Sequence, residues 1–112
     1  MDFSTYQQLA ARTASPSPDM EKRRLIAALG LTGEAGEVAE LIKKEIGHGH
    51  PADAQKIAKE VGDVLWYAAL LATLYGLDLG DIAAANIEKL RTRYPEGFST
   101  EDSMERRDTG AE

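Results

Sequence analysis

Apolar residues along this chain recur at intervals of three and four, and no segment keeps the two-residue alternation of a half-buried strand. The pattern predicts four helices. The first covers about Phe3 to Ala14, with Asp2 or Ser4 as its N-cap. Ser15-Pro-Ser-Pro18 breaks the chain after it, because a proline disfavours helical backbone in the residue before it. The second helix starts near Asp19, which caps it, and runs to about Ile46, where Gly47 and Gly49 end it. Gly30, Gly33 and Gly36 lie inside this helix, and each weakens it by about 1 kcal/mol relative to alanine. Their three-residue spacing predicts close packing or a bend, not a loop. The third helix covers about Ala52 to Tyr75 and stops at Gly76; the fourth runs from about Asp78, its cap, to Arg93, with Pro95 beyond.

The middle of the third helix, Val64 to Ala72, carries no charge on any side. A helix that is apolar all round is buried at the centre of a bundle or between subunits. With short connections favouring antiparallel neighbours, the fold class is all-α, a four-helix antiparallel bundle over residues 1–98. Residues 99–112 are polar and charged and read as a loose C-terminal tail.

Composition narrows the picture. A chain of 112 residues fits one small domain, and 43% hydrophobic residues suffice for a core. So small a domain buries a limited share of its surface, which oligomerisation would improve. The absence of cysteine excludes disulfides, thiolate metal sites and a cysteine nucleophile, and fits a reducing cytoplasm. The opening MDFSTYQQLA has no basic and apolar leader pattern, and the run from Val64 to Leu77 is too short to span a bilayer. A cytoplasmic protein with no membrane partner is the expectation. A net charge of −6 argues against binding duplex nucleic acid, so an anionic substrate would have to be met by locally placed cations.

Glu34 and Glu37 are three residues apart and share a helical face, about 4.5 Å apart along the axis. Glu60 and Asp63 repeat that spacing on the third helix. Both stripes continue as apolar residues, through Leu41 on the second helix and through Tyr67, Leu70, Leu71 and Leu74 on the third. The carboxylates therefore lie at the end of inward faces, where an unpartnered charge costs several kcal/mol, on the order of 3–5. A cation must neutralise them. Lysines are one source, with Lys44 near the right face. A hard metal, Mg²⁺ or Mn²⁺, is the other, and it suits an all-oxygen ligand set that also meets substrate phosphates. On the fourth helix Asn86, Lys89 and Arg93 form one stripe able to hold phosphate oxygens, although taken alone it reads as a solvated face. His48 and His50 flank a glycine in a turn; two ligands make a poor metal site, and they read as connector residues.

The segment Gly33-Glu-Ala-Gly-Glu37, then 22 residues, then Glu60-Val-Gly-Asp63, resembles the Glu-Glu-x-x-Glu … Glu-x-x-Asp signature of the MazG-like nucleotide pyrophosphohydrolases. Asn86-Ile-Glu-Lys-Leu-Arg-Thr-Arg-Tyr-Pro95 with Gly97-Phe98 is similar to that family's fourth-helix pattern. The departure is Gly33, which stands where the signature has its first glutamate. The resemblance implies Glu34, Glu37, Glu60 and Asp63 as Mg²⁺ ligands, with Asn86, Lys89 and Arg93 on the phosphates of a nucleoside triphosphate. It also implies water attack at the α-phosphorus with a carboxylate such as Glu37 as base, and assembly as a homodimer or homotetramer. Tyr67 is placed to touch sugar or base; Trp66 stacks on the base or fills the core.

Two alternatives stand beside this reading. One is phosphoribosyl-ATP pyrophosphohydrolase, which shares the helical core and the carboxylates. The other is a non-catalytic helical interaction module, in which lysines pair with the carboxylates and the domain is indifferent to divalent metal.

Overall fold

The computed structural model describes residues 1–109. Among them every regular element is helical: α1 (Phe3–Ala11), α2 (Met20–His48), α3 (Ala54–Leu74), α4 (Leu79–Arg93), α5 (Thr100–Glu105) and a terminal 3-10 turn (Arg107–Thr109). Acidic caps set the starts. The side chains of Asp2, Asp19, Asp53 and Asp78 accept hydrogen bonds from the backbone N–H of Thr5, Lys22, Lys56 and Asp81, relieving donors that a helix N-terminus leaves unpaired. Asp53 moves the start of α3 two residues past the expected Ala52. α1 ends at Ala11 and not at Ala14, as the Thr13 hydroxyl donates back to the Ala10 carbonyl just before the prolines. α2 continues through Gly47 to His48 and ends on Gly49, whose φ of 72° needs a residue without a Cβ.

α2 and α3 form an antiparallel pair. Arg24 donates to the Leu74 carbonyl at 3.0 Å, Gly30 meets Tyr67, and Glu34 meets Glu60 and Asp63, so contacts climb one helix as they descend the other. A Cβ built on Gly30 would lie 2.2 Å from the Tyr67 ring, whereas Gly33 and Gly36 face open space. The close-packing role expected of the glycines thus belongs to Gly30 alone. Around this contact sits a small core of Ala27, Leu70 and Leu74, flanked by Ala14, Trp66, Tyr67 and Leu71.

α1 is fastened to the α3–α4 junction by the buried side chain of Gln7. It donates to Thr73 Oγ1 (3.1 Å) and the Leu77 carbonyl (2.8 Å), and its Oε1 accepts from Leu79 N–H (2.7 Å). These bonds satisfy a polar group that would be costly to bury unpaired. They also help fix the turn, and α4 leaves α3 at 107°.

The expected four-helix antiparallel bundle is therefore not closed by one chain. α4 packs on α1, on α5 and on the 3-10 turn, and only marginally on the α2–α3 pair. The radius of gyration is 17.2 Å, against roughly 13 Å for a compact domain of this length. Leu25 and Leu29 on α2 are 59% and 63% exposed, and Ile46 is 80% exposed. No single helix among the described residues is long and apolar enough to cross a membrane; only the sharply bent α3–α4 pair taken together passes that test.

The polar C-terminal segment expected from Ser99 onward carries short helical turns as far as Thr109. Ser99 caps α5, and Asp108 ties the segment back to α4 through Arg93. Residues 110–112 lie outside the described residues.

Candidate metal centre

Helical spacing places Glu34 one turn before Glu37 on α2 and Glu60 one turn before Asp63 on α3, and the antiparallel register brings the two turns together. Glu34, Glu60 and Asp63 each offer a carboxylate oxygen within 4.8 Å of the others. Glu34 and Glu60 are half-buried and Asp63 is exposed. Glu37 stands outside this tight group. It is exposed on the adjacent turn of α2, near enough for its charge to act on Glu34.

The Glu34 carboxyl is held above its ordinary range. The largest cause is a side-chain hydrogen bond with Glu60, which favours the protonated form, followed by loss of solvent and by the charges of Asp63, Glu60 and Glu37. Among the described residues no lysine or arginine forms an ion pair with Glu34, Glu37, Glu60 or Asp63 that would relieve this repulsion. Lys44, the sequence candidate for pairing, instead lies 3.8 Å from Glu40. Three mutually close oxygen donors with no lysine or arginine partner fit a hard divalent ion.

A raised folded-state value means that protonated Glu34 favours the fold. That contribution is complete below the unfolded carboxylate value and is lost as pH rises through the raised folded one. Glu34→Gln is therefore expected to raise the melting temperature of the metal-free protein at neutral pH, with the gain vanishing in acid. Thermal melts in chelator across that pH range test this, and equal neutral-pH melting of the two proteins would refute it.

Of the other residues singled out from sequence, Asn86 and Lys89 are exposed on α4, and Lys89 enters no ion pair among the described residues. Arg93 is engaged: its Nε and Nη2 donate to the two Asp108 oxygens at 2.6 and 2.8 Å. Trp66 and Tyr67 are both at work in packing. Trp66 Nε1 donates to Thr13 Oγ1 at 3.1 Å, and its ring meets Tyr67 edge-on at 4.9 Å between centroids. His48 and His50 lie with ring centroids 6.3 Å apart and belong to no acidic or metal-ligating cluster among the described residues.

Sequence reasoning passed over Tyr6. Burial, and secondarily the charge of Asp63, raise its hydroxyl's pKa, so α1 reaches the neighbourhood of the carboxylates. No local signal marks it, because the proximity depends on how α1 crosses α3.

The profile of the MazG nucleotide pyrophosphohydrolase domain matches residues 23–98, which contain all four carboxylates and the α4 stripe. The chain belongs to the MazG family. It is similar to the Gene 37 protein of Mycobacterium phage L5, 36% identical over 73 residues, covering 62% of this chain and 64% of the phage protein. It also resembles the Uncharacterized protein YvdC of Bacillus subtilis, 37% identical over 73 residues, covering 57% of this chain and 69% of that protein. The chain thus spans a little under two-thirds of the phage relative's length. No solved structure matches it. The MazG assignment agrees with the all-helical architecture, and the acidic cluster agrees with a metal-dependent family.

Proposed function

We propose that this MazG domain hydrolyses nucleoside triphosphates to the monophosphate and pyrophosphate, with Mg²⁺ held by Glu34, Glu60 and Asp63 and completed by Glu37. The observation that carries the reading is the group of three carboxylates on two helices, within 4.8 Å of one another and without a cationic side chain. Mg²⁺ would supply charge neutralisation at the phosphoryl oxygens and a lowered pKa for water.

The chain's own residues do the rest. Glu37, near the cluster but outside its tight group, is the base that takes the proton of the attacking water. Water oxygen bonds to the α-phosphorus, the bond from that phosphorus to the bridging oxygen breaks, and pyrophosphate departs with the electron pair. Asn86 and Lys89 hold phosphate oxygens.

The working unit is a homodimer or homotetramer. Exposed Leu25, Leu29 and Ile46 and the open α4 arrangement support this, since a second copy would cover apolar surface that the monomer leaves in water.

The test is incubation with a panel of ribo- and deoxyribonucleoside triphosphates and Mg²⁺, with products separated by anion exchange and the active species sized by sedimentation. Monophosphate plus pyrophosphate from a dimer or tetramer is expected. Diphosphate plus orthophosphate would overturn attack at the α-phosphorus. No turnover with either Mg²⁺ or Mn²⁺ would overturn the activity.

A further inference from the structure

The C-terminal segment from Ser99 to Thr109 lies beyond the residues that match the MazG profile, yet it is a built feature. Ser99 caps α5, accepting from Asp102 N–H at 3.0 Å. Arg107 pairs with Asp102 and Glu105, both at 2.6 Å. Arg106 closes α5 in the left-handed region at φ 54°. These contacts give the segment a definite shape and bring Asp108 over the end of α4.

What fastens it there is charge. Neither α5 nor the 3-10 turn contributes a buried residue, and Met104 is 79% exposed. The Arg93–Asp108 pair, by contrast, is shielded: the arginine side chain is 15% exposed and the aspartate 2%. Its geometry is the two-pronged fork in which a guanidinium grips two oxygens of one anion. A phosphate likewise presents two oxygens to a guanidinium fork and carries more charge. Arg93 shares its stripe with Asn86 and Lys89, seven and four residues away along one helical face.

We propose that Asp108 is a built-in phosphate mimic, so that the C-terminal segment is an autoinhibitory latch which a nucleotide's phosphates displace from Arg93. The proposal rests on the reading that the Asn86–Lys89–Arg93 stripe meets substrate phosphates. A segment with little apolar burial opens at low cost, as a latch requires. While it is closed, the fraction of molecules able to use Arg93 is reduced and the apparent affinity for nucleotide falls with it.

Asp108→Asn keeps the shape of the side chain and removes its charge. It is expected to lower the KM for triphosphate by about threefold to tenfold while kcat stays the same. Hydrogen exchange on the unaltered protein gives an independent readout. A nucleotide with a non-hydrolysable α,β linkage, added with Mg²⁺, is expected to speed exchange of the amides of residues 102–109. An unchanged KM in Asp108→Asn, with lowered thermal stability, would make the pair a structural clasp and overturn the proposal. Slower exchange in the segment on binding nucleotide would make it a closing lid and overturn it as well. Arg93→Gln separates this failure from that of the proposed activity. If it leaves KM unchanged while Glu60→Gln abolishes turnover, the latch is refuted and the carboxylate site stands.

Discussion

Asp63→Asn or Glu60→Gln is expected to cut triphosphate turnover about a thousandfold or more, on the order of 4 kcal/mol of transition-state stabilisation. Each removes a charged oxygen from the group in which three carboxylates lie within 4.8 Å. The amide keeps the volume, and neither side chain supports the core, which is built from Ala27, Leu70 and Leu74. Helical content measured by circular dichroism should therefore be unchanged. In the metal-free state Glu60→Gln should melt no lower than the parent, since it removes one of the carboxylate charges acting on Glu34 and leaves an amide oxygen to accept its hydrogen bond. Glu37→Gln should behave differently. As the proton acceptor and the outlying ligand, it should lose kcat while Mg²⁺, still held by Glu34, Glu60 and Asp63, and nucleotide bind at reduced affinity, as titration calorimetry would register. Full activity in Asp63→Asn would remove the metal centre from the mechanism.

Gly30→Ala is expected to destabilise the fold by about 1–3 kcal/mol net, although alanine is the better helix former. The added methyl would sit 2.2 Å from Tyr67 Cε1 and 2.4 Å from its Cζ, so the ring must move or the two helices must part. The ring has little room, packed edge-on against Trp66, whose indole is tied to Thr13. Gly36→Ala is the internal control. Its Cβ meets nothing within 4 Å, so only helix propensity acts and a gain of about 0.5–1 kcal/mol is expected. Denaturant melts of the two variants should shift in opposite directions from the parent. A stabilised Gly30→Ala would mean that the α2–α3 contact is looser than this geometry.

The two glycine positions mark where the sequence stopped being informative. Gly30, Gly33 and Gly36 are equivalent in pattern, three apart on one helix, and nothing local tells which one faces a neighbour. That is decided by the tyrosine that the partner helix presents in the antiparallel register. The same limit explains Trp66 and Tyr67. An aromatic pair beside an acidic motif reads equally as base contact or as packing, and the positions of Thr13 and Gly30 engage both rings in packing.

By itself, the sequence determined what depends on neighbours a few residues apart. The period of three and four set the helices, and Asp19 and Asp78 set two of their starts, because a cap acts over three residues. The Glu-x-x-Glu and Glu-x-x-Asp spacings put each pair of carboxylates on one face, and the family followed from those spacings and their order. Only the tertiary structure decided that Glu34, Glu60 and Asp63 converge while Glu37 stands aside, since convergence depends on the register between two helices. It also decided that α4 turns away at 107° and that Asp108 reaches Arg93. Those outcomes rest on a buried glutamine and a charged fork joining residues far apart in the chain, whose partners no local pattern names.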